Sequence, residues 1–303
     1  MTLSSRQIQE LLSAHGLHPS RALGQNFVGD PNTVRRIARL ADIHPGQRVV
    51  EIGAGLGSLT LALAEAGAKV RAVEIDHRLV PILREVVEPF EVEVVEGDAL
   101  TLDWQAVLGD RQTFDAPGSG QAPGAAQGSW ASEPWVLVAN LPYNVAVPVV
   151  MRVLESAPMI SRLLVMVQRE VAERMAAGPG HPAYGAVSVK MAYFATTAVV
   201  GRVPASVFVP RPNVESALVR VERRPTVAVD PDSVSPEELF RLVRAGFAQR
   251  RKMLRRSLAG VVTPEEFHAA GVDSASRAED LGVLEWGRLA VSRERPVRGQ
   301  GTR

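Results

Sequence analysis

Apolar residues recur at helical spacing in two early stretches. From Ser4 to His15, Ile8, Leu11 and Leu12 share one face, Ser4 and Gln7 are spaced for a capping box, and Gly16 supplies a stop. From Pro31 to Ala41 the same spacing returns through Val34, Ile37, Ala38 and Ala41, before Pro45-Gly46 turns the chain. The pattern then shortens to apolar runs of strand length: Val49, Val50 and Ile52; KVRAVEID from Lys69 to Asp76; VEVVEGDA from Val92 to Ala99; and WVLVANLPYN from Trp135 to Asn144. Leu102 to Leu108 suits one or two helical turns. Strands buried on both faces and separated by helical stretches predict an open α/β sheet.

Further strands are predicted over Arg162 to Glu170, Tyr184 to Phe194 and Ser216 to Val221, with a helix after Glu170 that stops at Gly178. Past Arg224 the chain is loop-like to Ser235, which caps a helix with Pro236 first and Glu237 and Glu238 in its first turn. Its apolar face is Leu239, Leu242, Val243, Gly246 and Phe247. Arg244, Arg251 and Arg255 follow helical spacing on another face, within the run QRRKMLRRSL that also holds Lys252. Pro264 to Ala270 and Arg277 to Ala290 read as the remaining helices. Two domains are expected: residues 1–224 built on the sheet, and a small all-helical domain, 225–303, ending in a frayed tail from Ser292. Ala116 to Ser132 is almost wholly Ala, Gly, Pro, Ser and Gln, which predicts a disordered surface loop dispensable for chemistry.

Composition changes this picture little. A chain of 303 residues, 46% of them hydrophobic, can bury a substantial core. Without cysteine, disulfides and thiolate zinc sites are excluded and a reducing compartment is the natural expectation. The six histidines are scattered, so no metal is expected. No apolar run approaches the roughly eighteen residues of a membrane span, and Ser4 and Ser5 stand where a signal peptide needs apolar residues, so a cytoplasmic protein is expected. Net charge is only +1, yet between Val200 and Gly260 twelve Lys or Arg face six Asp or Glu. That asymmetry suits a polyanion contacted by one end of the molecule, although on charge alone a solvated helix face accounts for it better.

The chemistry is concentrated at strand ends. In EIGAGLG, Gly53, Gly55 and Gly57 let the backbone turn sharply beside a ligand. A dinucleotide fingerprint would need glycine at Ser58, so the spacing favours S-adenosylmethionine over NAD. Glu74, ending the second strand, can accept bonds from both ribose hydroxyls, and Asp98, ending the third, can accept one from an adenine amine. The fourth strand delivers Asn140-Leu141-Pro142-Tyr143 to the same edge. Adenine N6 is a poor nucleophile because its lone pair is delocalised. The Asn140 side-chain oxygen and the Leu141 carbonyl can each accept one N–H bond and favour a pyramidal nitrogen. Pro142 fixes the turn, and Tyr143 offers an aromatic face to the base.

Taken in order, LGQNF, EIGAGLG, VEID, GDA and NLPYN resemble the bacterial small-subunit (16S) rRNA adenine N6,N6-dimethyltransferase family, over nearly the whole chain. The resemblance implies a Rossmann-like S-adenosylmethionine-dependent methyltransferase acting on two adjacent adenosines in the 3′-terminal hairpin of 16S rRNA within the immature 30S particle, as a monomer. It implies that Asn26 and Val28 contact the cofactor together with Gly53, Gly55, Glu74, Asp98 and Asn140. It also implies that Phe208, in SVFVPRPNVES, is a second stacking face opposite Tyr143, a core phenylalanine being the equal alternative on sequence alone, and that Arg244, Arg251, Lys252 and Arg255 touch rRNA phosphates. Val28 stands where leucine is commoner. The alternatives are the 23S rRNA adenine methylase type, whose motif is closer to N-I-P-Y, and a non-catalytic RNA-binding assembly factor, which has no need to keep Glu74, Asp98 and Asn140 together. A DNA adenine methylase would show a proline where Leu141 stands.

Overall fold

The computed structural model describes residues 2–20, 22–109 and 133–294. The loop expected at 116–132 lies outside them. The chain forms two compact units, Met1–Gln168 with Val200–Arg220, and Arg169–Val199 with Val221–Arg303. This division differs from a single break after residue 224.

The first unit opens with α1 (Ser5–Ala14), whose cap is the expected reciprocal pair of Ser4 and Gln7. The loop after it leads through β1 (Phe27–Val28) to α2 (Pro31–Leu40), where the Asp30 side chain accepts the amides of Asn32 and Thr33 and Pro31 occupies the first turn. Next come β2 (Arg48–Ile52), α3 (Ser58–Glu65), β3 (Lys69–Glu74), α4 (Val80–Val87), β4 (Val92–Glu96) and α5 (Trp104–Leu108). The remaining elements are β5 (Trp135–Asn140), α6 (Ala146–Ser156), β6 (Ile160–Gln168), β7 (Ala195–Val203), β8 (Phe208–Val209) and β9 (Ser216–Arg223). Seven strands make one sheet in the order β4-β3-β2-β5-β6-β9-β7, and β1 pairs with β8 in a separate antiparallel ribbon.

Strands β2, β3 and β4 run parallel outward from the sheet centre; the chain then crosses to β5, which lies parallel to β2 on its other side. The carboxyl ends of β2 and β5 therefore flank a topological switch point, where an open sheet leaves a crevice. The apolar runs explain why the strands are central: Val49, Val50, Val136, Leu137 and Val138 are all buried. At the amino edge, the Trp135 indole donates to the Leu108 carbonyl at 3.0 Å. Arg48 and Arg71 each place a guanidinium about 5 Å from the Trp135 ring centre (5.2 and 5.1 Å).

The second unit contains α7 (Arg169–Ala176), α8 (Ala186–Phe194), α9 (Pro236–Ala248), α10 (Leu254–Ser257), α11 (Pro264–Ala270) and α12 (Val283–Glu294), together with the unit's shares of β7 and β9. Two expectations fail here. Tyr184 to Phe194 is not a strand; α8 occupies Ala186–Phe194 and the strand begins only at Ala195. An apolar run of that length fits either element. Val189 and Tyr193, four residues apart, enter one core cluster with Leu239, Phe240 and Trp286, which decides for helix. Nor does one helix carry the QRRKMLRRSL run: α9 stops at Ala248 and α10 starts at Leu254. Between them Met253 bridges Arg277, and the amides of Leu254 and Arg255 donate to the carbonyls of Ser276 and Ser274, pulling the backbone out of helical form. At the other end α12 continues through Glu294, past the expected start of the tail. Among the described residues, no helix is long and apolar enough to cross a membrane.

Candidate active site

Two lobes of space open at the carboxyl edge around the switch point. Asn26, Gly55, Glu74, Asn140 and Tyr143 line the first, and Asp98, Ala99, Asn144 and Val149 line the second. Leu23, Gly53, Ile75, Leu141 and Pro142 line both, so the two lobes adjoin. Gly53 and Gly55 have φ of +72° and +59°, a region strained for other residues. A Cβ on Gly55 would lie 2.9 Å from the Phe27 ring.

Each polar residue of the hollow is held in a way that leaves acceptor capacity. Glu74 is buried. Its Oε2 accepts the Gly55 amide at 2.7 Å and its Oε1 the Asp76 amide at 2.8 Å. Burial raises its pKa, opposed by the backbone amides of Asp76, Gly55 and Ile75. Asp98 accepts the Leu100 amide through Oδ1 at 2.9 Å, so Oδ2 is available. Asn140 donates from Nδ2 to the Asn26 carbonyl at 2.9 Å. Only the amide nitrogen can face a carbonyl, so this contact leaves Asn140 Oδ1 as the acceptor. The Tyr143 hydroxyl lies 2.7 Å from Ser216 Oγ, which holds the outer end of a half-buried ring; burial raises the phenol pKa. Exposed Ile75 adds an apolar surface beside Glu74. These acceptors, the glycine turn and the apolar wall fit S-adenosylmethionine.

Not every expected residue reaches the hollow. Val28 is buried in β1 and pairs with Phe208. Phe208, 4% exposed, packs with Val28, Val34 and Leu218 in a core cluster and is not among the residues lining the two lobes, so in this structure it gives the hollow no stacking face. In the second unit, Arg244, Arg251, Lys252 and Arg255 are exposed, spread over α9, the following turn and α10. Arg250 is instead tied to Glu279 and to the Pro182 carbonyl, both at 2.6 Å. Residues that sequence reasoning passed over are Ser216, Ile75 and the Asp76–Arg78 ion pair, closed at 2.7 Å, which holds the Asp76 carboxyl down at about 2. Glu51, inside β2, is 1% exposed, with Oε2 lacking a hydrogen-bond partner; burial pushes it up to about 8.

Comparison with known proteins places these features in a known setting. The model of the ribosomal RNA adenine dimethylase family matches residues 18–292. A protein of Kineococcus radiotolerans named ribosomal RNA small subunit methyltransferase A is 45% identical, over 99% of this chain and 94% of that one. One of the same name from Thermobifida fusca is 44% identical, over 96% of each. Among solved structures, the 23S rRNA methyltransferase ErmE superposes with a TM-score of 0.64 at 26% identity, over 89% of this chain and all of that one.

Proposed function

The chain belongs to the ribosomal RNA adenine dimethylase family, and on that footing we propose that it transfers methyl groups from S-adenosylmethionine to N6 of two adjacent adenosines in the 3′-terminal hairpin of 16S rRNA. It is an S-adenosylmethionine-dependent rRNA adenine dimethyltransferase with an α/β Rossmann-like sheet. The observation that supports the finer reading is the pair of adjoining lobes that sets Glu74, Asp98 and Asn140 along one sheet edge.

When bound, S-adenosylmethionine supplies an electrophilic methyl on a sulfonium. The protein's task is then placement. Asn140 Oδ1 and the Leu141 carbonyl accept the two N–H bonds of the adenine amine and draw it out of the ring plane, so that its lone pair is directed rather than delocalised. These bonds accelerate transfer to the extent that they form better in the transition state than in the ground state. Tyr143, held by Ser216, fixes the base plane, and Pro142 holds the turn that presents it. The proton leaves to water.

The substrate is the immature 30S particle, met in the cytoplasm, with Arg244, Arg251, Lys252 and Arg255 contacting rRNA phosphates and methylation contributing to small-subunit biogenesis. Relatives named for the small subunit are 40–45% identical over nearly the whole chain, which supports the small-subunit choice. The retained acceptor set supports catalysis over a purely assembling role. The test offers methyl-labelled cofactor with unmethylated 30S, naked rRNA or 50S. Label in 16S rRNA of the 30S sample is expected, and label confined to large-subunit RNA overturns the reading. Asn140→Ala should lower transfer about 10²–10³-fold while RNA binding persists; equal loss of both would count against its role.

A further inference from the structure

We propose that Gln25 is a positioning residue: its bond to Asp76 latches the loop carrying Asn26 onto the cofactor-side strand end, so that the aim of Asn140 depends on that latch. The inference rests on the acceptor role of Asn140 proposed above and adds Gln25, which lines the first lobe, as a residue acting through the loop that carries Asn26.

A run of hydrogen bonds carries it. Gln25 Oε1 accepts the Ser20 amide at 2.7 Å, which turns Nε2 toward Asp76, where it donates to Oδ2 at 2.9 Å. The Asp76 side chain is 3% exposed, and apart from Gln25 the donors to its carboxylate are the amide and guanidinium of Arg78. Gln25 is thus the member that joins this ion pair to the N-terminal loop. Asp76 in turn donates its amide to Glu74, the residue assigned to the ribose. On the loop's other side, the carbonyl of Asn26, next in sequence, accepts the Asn140 amide, and Gly24 lies against the Pro142 ring. Three consecutive residues therefore contact both halves of the hollow. Moving the Asn26 carbonyl releases the contact that commits Asn140 Oδ1 to the substrate side. A charged bond in a largely buried setting is strong enough to hold such a loop.

The experiment is steady-state methylation of unmethylated 30S by the full chain, with cofactor affinity measured by calorimetry and thermal melting used to scale rates to folded protein. Gln25→Ala and Gln25→Met, the second keeping length without a donor, are each expected to raise KM for the cofactor and to lower kcat at saturating cofactor by about tenfold. Gln25→Glu, which sets a carboxylate against Asp76, should lose more. In a double-mutant cycle, Asp76→Ala should cost about tenfold less in the Gln25→Ala background than in the wild type. An unchanged kcat at saturating cofactor in Gln25→Ala overturns the proposal, whatever happens to KM, and so does strict additivity in the cycle. If Asn140→Ala also transfers normally, the reading of the site has failed; if Gln25→Ala alone is silent, the latch has.

Discussion

Replacing Glu51 by glutamine should change how folding responds to pH. Glu51 pairs in register with Ala72 and Val138 in the middle of the sheet and is 1% exposed. Burial, reinforced by the nearby Glu74 carboxyl, lifts its pKa from 4.5 to about 8. Below pH 4.5 both folded and unfolded chains hold the proton, and nothing is lost. Between 4.5 and 8 the unfolded chain releases it while the folded chain keeps it, so stability falls as pH rises, by about 1.4 kcal/mol per pH unit. The full gap is about 3.5 pH units, on the order of 5 kcal/mol. Glutamine cannot ionise in either state, so Glu51→Gln should remove this slope. Asp76, held at about 2, acts outside the window, since its contribution is lost only as pH falls below the ordinary carboxylate range. The assay is urea unfolding of both proteins at half-unit steps from pH 5 to 7.5, followed by intrinsic fluorescence, with Trp104 and Trp135 reporting the unit that holds Glu51. Wild type should weaken relative to the variant at each step. Parallel curves with a constant offset would refute the argument.

Three further outcomes follow from the geometry. Gly55→Ala places a methyl on the Phe27 ring at a positive φ, and should weaken cofactor binding at least tenfold by calorimetry, with a smaller drop in melting temperature. Arg251→Ala with Arg255→Ala should weaken RNA binding and reduce its salt slope by about two phosphate contacts, whereas Arg250→Ala should lower thermal stability and leave that slope nearly unchanged, because Arg250 is engaged by Glu279 and Pro182. Ser216→Ala removes the partner of the Tyr143 hydroxyl and should lower kcat several-fold with cofactor affinity retained, read from single-turnover methylation.

The cofactor half of the site was legible because its signals are local. A glycine turn after a buried strand and an acid at the end of each following strand are fixed by sequence spacing, and parallel register then aligns them without further information. What was not legible depends on partners distant in sequence. No neighbour of Ser216 announces that it meets Tyr143, 73 residues away. Tyr184 to Phe194 satisfies strand and helix patterns alike until Val189 and Tyr193 find a common core. The QRRKMLRRSL run keeps helical spacing on paper, but backbone bonds to Ser274, Ser276 and Arg277 break it. Phe208 shows the same limit, since nothing in its own segment reveals the pairing with Val28 that buries it.

The clasp made by Trp135 has a practical meaning. Its indole reaches back to the end of α5, so the chain that leaves Gly109 and returns at Glu133 begins and finishes at points already fastened together. This fastening sits at the opposite end of β5 from Asn140, about 17 Å along the strand at ordinary strand rise. Loop closure varies only with the logarithm of length, so trimming that connection to a few glycines or extending it with a tag changes folding little. Methyl transfer by a chain carrying a dye or tag between Gly109 and Glu133 is therefore expected to match that of the untagged enzyme.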